Sequence, residues 1–433
     1  MPSFLRSKIC LLSLCLIGCV GEAASQSPAA PPAVFAVKAG HLVDPAKGSV
    51  ADDQIILVRA GKIVEVGPHV AVPPGATVID LSQQWVLPGL VDAHTHITDN
   101  TVPSPPGASV EDHTLNTESS GFRTARGLHN ADLMVHAGFL ALRDVGNNMN
   151  FTDVAVEQAV ETGWFPGPTI IPAGKIIGPY GGQSHKLSPE AGPFWRNEYI
   201  DADGPEEIRK AVRMNIYYGA KVIKLAADNN AYPYSTEEIR TAVTEAHAAG
   251  RKVAVHVYGG VAADNVIAGG ADSIEHGFDL TDDQLTLMKQ KGIFLVGTDF
   301  PLEHLVAFGG MVPQLDAQKT ADNTIRRLAA ANRIGVKMAF GSDVVTELPG
   351  ENRVDMMFDF LRTWKKAGVP APAILKAWTT NGYELLGLDK ERGSLAAGMA
   401  GDMIAVPENP LLNIDTLRKV DFVMKDGTVL RKP

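Results

Sequence analysis

Apolar and polar residues alternate in short runs near both ends of the chain, and a different rhythm fills the middle. Val34–Val37, Ile55–Arg59, Ile63–Val66 and Thr77–Asp80 read as half-buried strands, with Ala60-Gly61-Lys62 turning between two of them. Similar strands return at Asp402–Val406, Asp421–Met424 and Thr428–Leu430, the last two joined through Asp426-Gly427. Chain ends often lie close in space. Residues 34–84 and 398–433 are therefore expected to pair as one small β domain, a β-sandwich built from both termini.

Between these ends, short apolar runs alternate with amphipathic segments of helix length, the pattern of parallel βα units. Eight runs read as strands: Trp85–Asp92, Phe139–Asp144, Thr169–Ala173, Val222–Leu225, Val253–Val257, Ser273–His276, Ile293–Gly297 and Lys337–Gly341. Helices are expected over Thr236–Ala249, where Ser235 and Glu238 fit a capping box, and over Thr320–Arg333. Eight βα units predict an α/β fold, a (β/α)8 TIM barrel over residues 85–397, with an open doubly wound sheet as the alternative. Gly174–Gly204 is rich in Gly and Pro and poor in periodicity, and is expected to be a functional lid or a disordered loop.

Composition adds compartment and partner class. A chain of 433 residues, 45% hydrophobic and 20% charged, suits a large globular enzyme. Its net charge of −10 and the absence of a basic run argue against nucleic acid as a partner. Residues 1–18 read as an export signal: Arg6 and Lys8 precede an apolar stretch too short to span a bilayer comfortably. All three cysteines, Cys10, Cys15 and Cys19, fall in or beside it. Leu16-Ile17-Gly18-Cys19 resembles a bacterial lipobox, which implies cleavage before Cys19 and a lipid anchor on its thiol. An ordinary signal peptide cut near Gly21-Glu22-Ala23 is the alternative. Residues 19–33 then form a linker, and the protein is expected in the periplasm or on a bacterial membrane. No disulfide pair is left to staple the fold.

In a TIM barrel, chemistry gathers at the C-terminal strand ends. Here those ends carry His94, His96, Lys224, His256, His276 and Asp343. His94 and His96 are two apart, so a strand presents both on one face. Imidazole and carboxylate suit zinc or a similar divalent ion. A histidine pair alone is a weak signal. Six ligand-type residues at predicted strand ends make a strong one.

At this point the chain resembles the amidohydrolase superfamily, in its imidazolonepropionase-like branch. That branch includes metal-dependent Xaa-Pro dipeptidases, N-acyl amino acid hydrolases and ochratoxin-degrading amidohydrolases. The resemblance spans about Val34 to Lys432. It is carried by Leu87-Pro88-Gly89-Leu90-Val91-Asp92-Ala93-His94-Thr95-His96, Ala141-Leu142-Arg143-Asp144-Val145-Gly146 and Gly219-Ala220-Lys221-Val222-Ile223-Lys224. Val253-Ala254-Val255-His256, Ile274-Glu275-His276-Gly277, Gly341-Ser342-Asp343 and Gly398-Met399-Ala400-Gly401-Asp402 complete it.

The resemblance implies two divalent metals, expected to be Zn2+, bridged by a carboxylated Lys224. An ammonium has no lone pair for a cation, so the lysine must first be neutral and then carboxylated. His94, His96, Lys224 and Asp343 would hold one ion, and Lys224, His256 and His276 the other. A hydroxide bridging the metals would attack the carbonyl, and Asp343 would carry the proton to the leaving amine. Lys221, of opposite strand parity, is the competing lysine. His185 and Tyr258 match positions that contact substrate, although Gln183 and Ser184 separate His185 from Gly181-Gly182. Arg143 and Asp144 read as a buried structural pair.

The expected substrate is a small molecule with an amide or peptide bond beside a carboxylate: an Xaa-Pro dipeptide, an N-acyl amino acid or an ochratoxin-like amide. A lactone, phosphotriester or cyclic amide on the same metals is the alternative. A non-catalytic scaffold would show gaps among the ligands, and there are none. Relatives imply a homo-oligomer.

Overall fold

The computed structural model describes residues 33–99, 117–147, 149–183, 188–228, 232–308 and 316–433. The export signal, Cys19 and His185 lie outside them.

Four strands open the described chain: β1 (Val34–Asp44), β2 (Ser49–Arg59), β3 (Lys62–Gly67) and β4 (Thr77–Pro88). The βα region follows with β5 (Leu90–Thr95), β6 (Phe139–Asp144), β7 (Thr169–Ile171), β8 (Ile176–Gly178), β9 (Tyr199–Asp201) and β10 (Val222–Ala226). It continues with β11 (Lys252–Val257), β12 (Ser273–His276), β13 (Phe294–Val296) and β14 (Met338–Ala339). Last come β15 (Met403–Val406), β16 (Phe422–Lys425) and β17 (Thr428–Arg431).

Both chain ends pair, but not as two facing sheets. They form one seven-stranded sheet in the order β17-β16-β15-β4-β1-β2-β3. The sheet rolls back on itself, because Ile63 N donates to Met399 O (2.8 Å) and Gly401 N to Gly61 O (2.7 Å). One small core fills the roll, including Val37, Ile56, Val86, Met403 and Phe422. The two predicted tight turns are present. Ala60 (φ 49°) with Gly61 (φ 78°), and Asp426 (φ 47°) with Gly427 (φ 72°), take the left-handed pairs that two-residue hairpins need.

One expected strand divides. Trp85–Pro88 belongs to β4 and pairs with β15, while the barrel-type strand begins at Leu90. Gly89 lies at the break, where a Cβ would sit 2.3 Å from Leu140 Cγ. The remaining seven predicted strands occur in place. The described residues between Gly174 and Gly204 contain β8, β9 and two 3-10 turns, elements that the composition does not announce. As a result β10 pairs with β8 and not with β7.

All ladders of the βα region are parallel. Its strands form a seven-stranded sheet, β14-β13-β12-β11-β10-β8-β9, and a three-stranded one, β5-β6-β7. Backbone hydrogen bonds span both junctions: Ala93 N to Phe340 O (2.7 Å) and Lys221 N to Pro172 O (2.7 Å). Strand residues pack inward as small groups, Ala93, Ala141, Val296 and Ala339 on one side and Val145, Ala173, Val222 and Ala254 on the other. Helices cover the outside. Thr236–Ala248 starts on the predicted Ser235–Glu238 capping box, worth about 1 kcal/mol.

Lys224 is two residues beyond Val222 and shares its strand face, as His256 shares that of Ala254. Small inward residues thus fill the middle of the parallel layer. The ligand-type side chains lie above them, at the C-terminal ends.

Candidate metal centre

Two connected segments build the centre. Asp92, buried within β5, accepts hydrogen bonds from His94 N (3.1 Å), Ser342 N (3.0 Å) and Ser342 Oγ (2.6 Å). Asp343 N in turn donates to His94 O at 2.7 Å. The segment holding His94 and the one holding Asp343 are therefore fixed to each other through backbone and carboxylate. Gly341 lets them approach, since a Cβ there would meet His94 Cβ and Val296 Cγ1 at 2.5 Å each.

Asp343 (φ 51°) and His276 (φ 67°) both adopt left-handed backbone conformations. Such residues cost about 1–2 kcal/mol each relative to the ordinary regions. Strain held at two strand ends is characteristic of functional sites.

The side chains converge. Asp343 Oδ1 lies 3.2 Å from His96 Nε2 and 3.6 Å from His94 Nε2, and Asp343 Oδ2 lies 3.7 Å from His276 Nδ1. One ligand atom each from His94, His96 and Asp343 fits within 4.8 Å. The His94 and His276 ring centres are 5.0 Å apart, and those of His276 and His256 are 4.4 Å apart. Tyr258 continues the row, 4.8 Å from the His256 ring, with its other face on Phe278.

Outer partners fix the imidazole orientations. His94 Nδ1 is 2.7 Å from Glu275 Oε2, while Glu275 Oε1 accepts from Arg143 Nη2 at 2.7 Å and from Ser273 Oγ. His96 Nδ1 faces Gly146 O, and His276 Nδ1 is 2.8 Å from Thr298 Oγ1. A His94 that donates from Nδ1 turns the lone pair of Nε2 toward Asp343.

Charge is tightly managed here. Burial, reinforced by the positive charge of Lys224, lowers His94 to about 4. Burial, reinforced by the neighbouring basic groups of His256, His94, Lys224 and His96, presses His276 well below its usual value. Both rings are thereby kept neutral, the form that ligates a metal. His96 is the exception: burial opposes its protonation, but Asp343 beside it, with Asp144 and Asp99, lifts it to about 9. Asp343 is lowered in spite of burial, by His94, His96 and Lys224. Burial brings Lys224 down to about 8, against the pull of Glu275 and Asp343.

Five of the six residues predicted as ligands are joined by these contacts. Lys224, 2% exposed, enters through its charge coupling to His94, His276, Glu275 and Asp343. Lys221 does not compete: it is half-exposed and pairs outward with Glu157. Arg143 and Asp144 are not a pair. Arg143 donates to Glu275, Ser273 and Ala93 O, whereas Asp144 accepts from Ile97 N, Gly146 N and Asn147. Neighbours in a strand point to opposite faces, so the two side chains find separate partners.

Glu275 and Gln183 were missed in the sequence. Glu275 lies within Ile274-Glu275-His276-Gly277, yet its contact with His94 spans 181 positions and has no local signal. Gln183 reaches into the centre, where its Nε2 lies 3.0 Å from His256 Nε2 and its Oε1 accepts from Tyr199 Oη at 3.1 Å. His256 Nε2 also lies 3.2 Å from Asp228 Oδ1.

Comparison with known proteins follows the same lines. The profile of the amidohydrolase family matches residues 85–430. An ochratoxinase of Aspergillus niger is 30% identical over 384 residues, covering 80% of this chain and 76% of its own. A prolidase solved with N-methylphosphonate-L-proline superposes with a TM-score of 0.77 at 27% identity, over 92% of this chain and all of that one. A Xaa-Pro dipeptidase with bound methionine has a TM-score of 0.78 at 24% identity, again over 92% of this chain and all of that one, and shares the fold.

Proposed function

Because the chain belongs to the amidohydrolase family, we propose that its strand-end cluster hydrolyses an amide or peptide bond beside a free carboxylate, with two divalent ions. The protein is a hydrolase. The two parallel sheets of the βα region are read as one closed barrel, consistent with the hydrogen bonds across both junctions.

One observation carries the reading: His94, His96 and Asp343 meet within 4.8 Å, with His276 and Lys224 against them and His94 and His276 held neutral. The donor set fits zinc, being imidazoles and carboxylate around a buried core. Lys224 fits the bridging role because burial favours its neutral amine, the form that takes up carbon dioxide. His94, His96 and Asp343 would hold one ion and His256 and His276 the other, with carboxylated Lys224 shared. When bound, such ions acidify a water toward neutral pH and polarise a carbonyl oxygen.

Asp343 does the proton work in this reading. Its carboxylate, kept ionised by His94, His96 and Lys224, accepts the proton of the attacking water and delivers it to the departing amine nitrogen. Tyr258, half-buried beside His256, would orient the substrate carbonyl or carboxylate, with His185 as the second substrate-contacting residue of this reading. Gln183 must release His256 when an ion enters. Export, lipidation at Cys19 and homo-oligomer assembly belong to the same proposal. No helix among the described residues is long and apolar enough to cross a membrane.

The names of two relatives, an ochratoxinase and a prolidase, favour amides over other bonds. Zinc-loaded protein assayed against Xaa-Pro dipeptides, N-acyl amino acids, ochratoxin A, lactones and phosphotriesters tests this. Amide cleavage is expected. Turnover confined to lactones or phosphotriesters would transfer the site to another bond class.

A further inference from the structure

A second group of ligand-type residues stands apart from the strand-end cluster. His304 lies on the helix Leu302–Phe308 that follows β13. Asp359 lies on the helix Arg353–Lys366, and Glu351 on the connection just before its N-cap, Asn352. His304 is 1% exposed and packs near Phe308. Neither of its ring nitrogens has a hydrogen-bond partner, nor does the buried Oε2 of Glu351. Buried polar atoms are almost always satisfied, so His304 Nε2 and Glu351 Oε2, unpartnered and facing each other, call for an explanation.

Their geometry supplies one. His304 Nε2 lies 3.4 Å from Asp359 Oδ2 and 3.5 Å from Glu351 Oε2. Neither approach is a hydrogen bond, and the three ligand atoms lie within 4.8 Å of one another. A tetrahedral ion with bonds of about 2.0–2.2 Å spaces its ligand atoms about 3.3–3.6 Å apart. The strand-end cluster shows the same spacings, 3.2 Å and 3.6 Å from Asp343 to His96 and His94.

The surroundings orient the carboxylate. Asp359 Oδ1 is taken by Arg418 Nη2 and Arg362 Nη2, each at 2.9 Å, which leaves Oδ2 directed at His304. Arg362 is itself shared with Glu303, so part of its charge is already balanced. Outer contacts of this kind fix ligating carboxylates in metal sites.

We propose that His304, Glu351 and Asp359 form a separate divalent-metal site of the zinc type, with one His and two carboxylate ligands and a fourth position open. Its residues take no part in the hydrolytic cluster, so it stabilises the segments after β13 and β14 without entering the reaction.

The test counts ions. The full chain is stripped with a chelator and dialysed against Zn2+. Zinc per chain is then measured by plasma mass spectrometry beside His304→Gln and Glu351→Gln. One zinc fewer in each variant is the expected result, with amide hydrolysis within twofold of the parent. Equal counts in the parent and both variants overturn the site and leave His304 as a buried imidazole beside two carboxylates. If His304→Gln does not fold, Glu351→Gln decides alone, since its side chain is 39% exposed. The result is a difference between chains and is independent of how many ions the strand-end cluster binds.

Discussion

Glu275 Oε2 lies 2.7 Å from His94 Nδ1, and this contact determines which nitrogen of His94 faces Asp343. The carboxylate is completely buried and is shared between an imidazole and the guanidinium of Arg143. Those partners, with Lys224, hold it ionised at about 2 in spite of burial. A proposed ligand, the acid that orients it and a compensating arginine thus form one connected row across three strands.

Replacing Glu275 by Gln should disturb metal and fold together. Loss of such an outer partner typically lowers metal affinity about 10–100-fold. Arg143 would also lose its buried counter-charge, a loss that costs about 3–5 kcal/mol. Zinc competition titrations and urea unfolding measure the two effects. Unchanged zinc affinity would remove Glu275 from its orienting role.

Gly341→Ala probes the approach of β5 to the Asp343 segment. The added methyl would stand 2.5 Å from both His94 Cβ and Val296 Cγ1, so His94 must move. Overpacking of this kind costs about 1–3 kcal/mol. Misplacing a reacting group by about 1 Å can cost about 10²-fold in rate. Thermal unfolding and kcat should therefore part company, with a modest fall in Tm and a large fall in turnover. A variant with parental kcat would show that His94 tolerates displacement.

Lys224→Ala should abolish turnover and lower metal content, because no other residue of the cluster replaces a bridging anion. Bicarbonate, formate or acetate should restore part of the rate when zinc is present. Full activity and parental zinc content in the unsupplemented variant would exclude the bridge.

Much of this was legible in the chain. Helical and strand periods placed the parallel strands, and turn chemistry placed Ala60-Gly61 and Asp426-Gly427, because those features are local. The end of β4 was not legible: Val86, Leu87 and Pro88 are as buried as the strand after them, so the apolar run reads straight through Gly89. β8 and β9, at three residues each, are too short to show a period. The ligand-type residues stood out by type and strand position. Glu275, Gln183 and the His304 group did not, since their meaning depends on partners brought together only by the fold.

The most direct test of the account is the rate of amide hydrolysis by zinc-reconstituted protein on an N-acyl amino acid or Xaa-Pro dipeptide. The same amide with its carboxylate capped as a methyl ester is the comparison, and Asp343→Asn, folded and metal-loaded, is the blank. Release of the amine from the free acid, a kcat/KM at least tenfold lower for the capped form, and no turnover by the variant are predicted. Fully metal-loaded protein that cleaves no carboxylate-bearing amide would contradict it.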